Sequence, residues 1–92
     1  MNTKRPLKND GVLSRQLGGE WLLYDSQRGS VHMINSMAEF VRRMCDGSHT
    51  LDDIENKVRD AFIVPDGTNL GKDVDDIIQT FVDKGILVYE KV

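Results

Sequence analysis

The sequence predicts an α+β fold: a three-stranded antiparallel β-meander followed by a three-helix bundle, in winged-helix-like order. Three observations carry this. The first third of the chain holds short apolar runs separated by glycine-containing turns, the pattern of hairpins. Beyond Ile34 the apolar period changes from two to 3.6. The 92 residues suffice for one modest core, burying roughly 60–65% of the unfolded surface.

Residues 1–11 (MNTKRPLKNDG) are polar and contain Pro6, so they read as a flexible arm, with 12–92 as the single folded domain. Residues 12–17 (VLSRQL) make a first strand. Gly18-Gly19 make a two-residue hairpin turn, because glycine accepts the positive φ that such turns demand. Residues 20–25 (EWLLYD), rich in aromatic and aliphatic side chains, form the second strand. Residues 26–30 (SQRGS) turn the chain into a short third strand at 31–34 (VHMI).

Ser36 and Glu39 fit a capping box opening the first helix, 36–45. Met37, Phe40, Val41 and Met44 follow at i, i+3, i+4 and i+7, an amphipathic stripe that Asp46-Gly47 ends. Thr50 caps the second helix, 51–62, and Asp53 sits favourably at its positive end. Leu51, Ile54, Val58, Ala61 and Phe62 line its inner face, and Pro65-Asp66-Gly67 breaks the chain. Asp73 caps the third helix, 73–84, and Lys84-Gly85 stops it. The apolar tail 86–89 packs back as a short strand. The expected core is Leu23, Phe40, Val41, Ile54, Val58, Phe62, Ile78 and Phe81.

Composition excludes several functions. No apolar run approaches the ~20 residues of a membrane span. The polar, basic start is no secretory signal, which points to a cytoplasmic protein. The single Cys45 forms no internal disulfide, and with His32 and His49 it matches no zinc spacing. Each histidine reads as a surface or partly packed side chain rather than a general base, and Cys45 as a small buried thiol rather than a nucleophile. Gly18-Gly19 lies in neither a Walker nor a G-x-G-x-x-G pattern. Asp73, Asp75 and Asp76 lack calcium-loop spacing and read as a solvated helix start. No catalytic residue, metal ligand or cofactor is expected, and the chain does not read as an enzyme.

Winged-helix order raises nucleic-acid binding as a rival. Residues 1–43 carry seven Lys/Arg against four Asp/Glu, giving +3; residues 44–92 carry five against eleven, giving −6; the sum is the net −3. The third helix exposes Asp73, Asp75, Asp76 and Asp83, which a phosphate backbone repels.

From about Val12 to Val88 the chain resembles the PqqD family, the RiPP recognition elements. The match runs through Gly19-Glu20, Leu23, Ile34-Asn35, Ala38, Cys45-Asp46-Gly47, Thr50, Ile54, Asp73-Val74, Phe81 and Gly85. The resemblance implies a three-stranded sheet and three helices that act as a peptide chaperone. Such a domain holds the leader of a ribosomally made precursor peptide for a modifying enzyme, often a radical SAM enzyme, as in pyrroloquinoline quinone (PQQ) or related biosynthesis. The turn after Tyr24 (Asp25-Ser26-Gln27-Arg28-Gly29) departs from the Pro-Glu-Gly of the pyrroloquinoline quinone branch.

The residues supply a mechanism of their own. Val31, His32, Met33 and Ile34 form an edge free of Pro, Lys or Glu, so it lacks the usual guards against pairing. An extended peptide can add there as a fourth strand. The third helix offers the other wall through Val74, Ile77, Ile78 and Val82. Ile77 and Val82 bound an arc of about 140°, so either one margin faces the peptide or the whole face is core. The edge equally suits a homodimer, and an interaction subunit without peptide specificity remains the third reading.

Overall fold

The computed structural model describes residues 5–89. In chain order the elements are β1 (Pro6–Lys8), β2 (Val12–Leu17), β3 (Glu20–Asp25), β4 (Ser30–Asn35), α1 (Ser36–Met44), α2 (Leu51–Ala61), α3 (Leu70–Asp83) and β5 (Leu87–Tyr89). β2, β3 and β4 form the expected antiparallel meander, in that order. At its first turn only Gly18 takes a positive φ, +62°, the first central position that a type II′ turn reserves for glycine.

Directly paired residues share a face. Val12, Leu23 and Ile34 therefore lie on the inner face, towards the helices, while Leu13, Tyr24, Val31 and Met33 lie on the outer face and are exposed. Beneath the sheet, Leu23, Val41, Ile54, Val58, Val74, Ile78, Ile86 and Leu87 are wholly buried. Phe40 and Phe62 are only half-buried, packed edge to face with centroids 5.4 Å apart at the margin of this core.

Part of the segment read as an arm is built into the fold. β1 pairs with β5 as a second, two-stranded sheet, and Pro6 is buried. The other side of β1 is held by the α1–α2 connection: the Lys8 amide donates to the Cys45 carbonyl at 2.8 Å, and the Gly47 amide to the Pro6 carbonyl at 3.1 Å. Local polarity hid this, because the partners are some forty and eighty residues away. Residues 1–4 of the expected arm lie outside the described residues.

Two helix starts differ from expectation. α1 is capped by Asn35, whose side chain accepts from the Ala38 amide at 2.8 Å, not by Ser36. Asn35 ends β4 in extended conformation, and asparagine ranks with serine as a cap. Glu39 is thereby released inward. It is 2% exposed and receives Arg42 Nε at 2.7 Å and Arg43 Nε at 2.9 Å. α3 starts three residues before Asp73, capped by Asn69, which accepts from the Lys72 amide at 3.2 Å. α2 carries the full capping box, Thr50 with Asp53. α3 ends in a Schellman motif: the Ile86 amide donates to the Phe81 carbonyl and Gly85, at φ +77°, donates to Val82. Arg28 lies directly where a Gly85 side chain would stand and donates to the Lys84 carbonyl at 2.6 Å. The β3–β4 hairpin is thus pinned to the end of α3. None of the helices among the described residues is long and apolar enough to cross a membrane.

Candidate functional site

The register of the meander determines which backbone groups of β4 are free. Leu17 and Glu20 close a two-residue hairpin, so they form a hydrogen-bonded pair, and hydrogen bonding then alternates along β3. The Ser26 amide donates to the Gly11 carbonyl at 3.0 Å, which continues the same parity. Even-numbered residues of β3 therefore point their backbone groups at β2. Trp21, Leu23 and Asp25 point theirs at β4, to Ile34, His32 and Ser30. Val31 and Met33 are left with N–H and C=O groups aimed outward, away from the sheet. β4 has no other strand beside it among the described residues.

Alongside that edge lies a groove of about 360 Å³ between β4 and α3. Ile34, Ala38 and Phe81 lie at its base, with Met33 on the sheet side and Ile77 and Thr80 on the helix side. Asp76 of α3 and Lys84, the C-cap of that helix, also line it.

The residues assigned to a peptide site divide accordingly. Val31 and Met33 are 55% and 50% exposed on the edge strand, while His32 and Ile34 are partly buried and inward. Of the helix residues, Ile77 lines the groove. Val74 and Ile78 are buried in the core, so their side chains do not reach the groove surface, and Val82 packs against the core without lining it. The Ile77 margin of the helix is the one turned to the edge strand. The sequence reading missed Asn35, Ala38, Asp76, Thr80, Phe81 and Lys84 as lining residues. For the helix the signal was present: positions 76/77, 80/81 and 84 recur at three- and four-residue steps beside Ile77.

Several other polar groups have structural explanations. His49 Nδ1 lies 3.0 Å from Asp46 Oδ1. The Asp46 carboxyl is pushed down to about 2 by the Ser48 hydroxyl and amide and then by His49. Cys45 is wholly buried and donates to the Val41 carbonyl at 3.1 Å. Burial, and then the nearby Asp46 charge, push its thiol up to about 12, so thiolate is scarce at neutral pH. Native protein should resist iodoacetamide at pH 8 and react once urea unfolds it; labelling of the folded protein at the rate of a free thiol would contradict this packing. His32 Nε2 and Asp25 Oδ2, both inward on the sheet, are buried with no hydrogen-bond partner among the described residues, though Arg28 Nε stands 4.0 Å from Asp25 Oδ2. No group of three His, Cys, Asp or Glu suited to a metal occurs among the described residues.

Fold and groove together define a small non-barrel α+β domain with an unguarded sheet edge facing an apolar trough. The sequence profile of coenzyme PQQ synthesis protein D (PqqD) matches residues 20–87, well over half the chain, so the protein belongs to the PqqD family. No curated protein sequence matches it. Two solved structures are similar at a TM-score of 0.72. One is TbiB1 in complex with the TbiA(beta) leader peptide, 16% identical, with 88% of this chain and 93% of that one covered. The other is lasso peptide synthetase B1 complexed with the leader peptide, 18% identical, with 91% and 98% covered. The heterocyclase TruD matches at a TM-score of 0.64 and 16% identity, over 95% of this chain but 12% of that one.

Proposed function

We propose that this domain is a RiPP recognition element that binds the leader of a ribosomally made precursor peptide and presents it to a modifying enzyme. The observation that carries the proposal is the open β4 edge: outward backbone groups of Val31 and Met33 stand beside an apolar groove against α3. An extended peptide adding there gains main-chain hydrogen bonds for affinity and side-chain seats for specificity. The two similar proteins solved with leader peptides support it, as does membership of the PqqD family. The work is binding rather than catalysis. Delivery to an enzyme is supported by the heterocyclase, in which a domain of this shape is one part of a larger chain; a radical SAM enzyme is the candidate partner that the family resemblance implies. A cytoplasmic setting suits the buried free thiol. A homodimer through β4 would occupy the same edge, so peptide and second copy would exclude each other.

Overlapping synthetic peptides spanning the short reading frames beside the gene, titrated by calorimetry, test this. One leader segment should bind with an affinity that falls at most about tenfold with added salt, because backbone pairing and apolar contact carry most of it. Binding to duplex DNA that falls steeply with salt, with no peptide bound, would overturn it.

A further inference from the structure

We propose that the groove selects an extended peptide carrying a basic, an apolar and an acidic residue at alternate positions, in that order from its N-terminus. The proposal rests on the strand-addition reading above and adds a rule of specificity to it.

Asp76, Thr80 and Lys84 stand at i, i+4 and i+8 on α3, so they form one rail along the groove, acidic at one end and basic at the other. Eight helical residues rise about 12 Å. Four residues of extended chain rise about 13 Å. Peptide side chains meeting Asp76 and Lys84 are therefore four residues apart, an even step that puts both on the same face of the added strand. The residue midway between them shares that face and meets Ile77 and Phe81, so it must be apolar.

The order follows from the way α3 is fastened. Arg28 lies in the turn that precedes β4 and holds the Lys84 carbonyl at 2.6 Å. The basic end of the rail thus lies beside the start of β4, and the acidic end lies towards Asn35. A strand added antiparallel, which continues the meander and pairs slightly better per residue, runs against β4. It enters at Asp76 and leaves at Lys84. Lys84 has no ion-pair partner among the described residues, and Arg28, itself 4.0 Å from Asp25, stands at the same end. Asp76 is paired with Lys72 at 2.8 Å, but both are largely exposed, and such a pair yields easily to a ligand cation.

Three peptides of one length test the rule: Thr-Val-Lys-Thr-Leu-Thr-Glu-Val-Thr, the same peptide with Lys and Glu exchanged, and a neutral form with Gln at both places. Binding is read by amide shifts of labelled protein at low salt. Two modest surface contacts changing from attraction to repulsion separate the first two peptides by about tenfold, with the neutral one between. The gap should close as salt screens it. The double variant Asp76→Lys/Lys84→Glu should reverse the order of the charged two, with the neutral peptide again between them. Equal binding of the three, with β4 amides still shifting, overturns the charge rule and leaves the groove standing. A wild-type preference for the exchanged peptide overturns the direction. Failure of all three to shift residues 31–34 overturns the strand-addition reading itself.

Discussion

Replacing Glu39 with alanine should cost the fold about 3–5 kcal/mol, because it strands a buried guanidinium. Glu39 and Arg42 are 2% and 6% exposed, and the carboxylate receives both Arg42 Nε and Nη2. Arg43 adds a third bond from its place over the Trp21 ring, 4.5 Å from the centroid. Removing the carboxylate leaves Arg42 desolvated and unpaired. That loss is a large share of the 5–15 kcal/mol typical of a small domain. Replacing both partners, Glu39→Met with Arg42→Leu, should cost less than the single change, since apolar side chains of similar volume carry no desolvation penalty. Urea denaturation of the single and double variants checks this; small, additive losses would show that the pair is not coupled.

Acid should probe the same pair. Burial raises the Glu39 carboxyl, but hydrogen bonds from Arg42 and Arg43 and the Arg42 charge outweigh it and hold the group below its ordinary 4.5. A depressed folded-state value means the stabilisation is full above the unfolded value and is lost as pH falls through the folded one. Unfolding below about pH 4.5 should therefore be steeper in the wild type than in Glu39→Gln.

Proline at Met33 should weaken leader binding strongly and leave the fold nearly intact, whereas proline at His32 should damage the fold. Met33 points its N–H outward from the edge, so the fold makes no use of it; a fourth strand needs it. Loss of that bond, with the ring projecting into the incoming strand, should weaken binding at least tenfold, or about 1.4 kcal/mol. His32 faces Leu23 across the ladder, and its proline variant leaves a carbonyl of a buried residue unsatisfied, at roughly 1–3 kcal/mol. Thermal melts beside peptide titrations separate the two; the opposite assignment of effects would mean the parity of the sheet is reversed.

Much of this was legible in the residues. The Gly18-Gly19 turn and the change of apolar period at Ile34 placed the meander and three helices, and α1 and α2 end within a residue of expectation. What escaped was what depends on tertiary partners. Nothing local marks Pro6–Lys8 as a strand, because its pairing is with Leu87–Tyr89 at the far end of the chain. Glu39 fits a capping pattern equally well as it fits a buried ion pair, and Asn35 decides between them by taking the cap. At the site, the edge strand was readable from its missing guards. The helix margin was not, because Ile77 and Val82 are equally apolar and only the packing of α3 turns one to the groove. Asp76 read as part of a solvated helix start, and Lys84 as a helix stop, for the same reason.

The most direct test of strand addition is a titration of isotope-labelled protein with the tightest leader peptide, following backbone amides. The amides of Val31 and Met33 should shift most and become protected from hydrogen exchange, with α3 from Asp76 to Lys84 moving beside them and His32 already protected before peptide is added. Shifts confined to α2, with residues 31–34 and 76–84 unmoved, would contradict it.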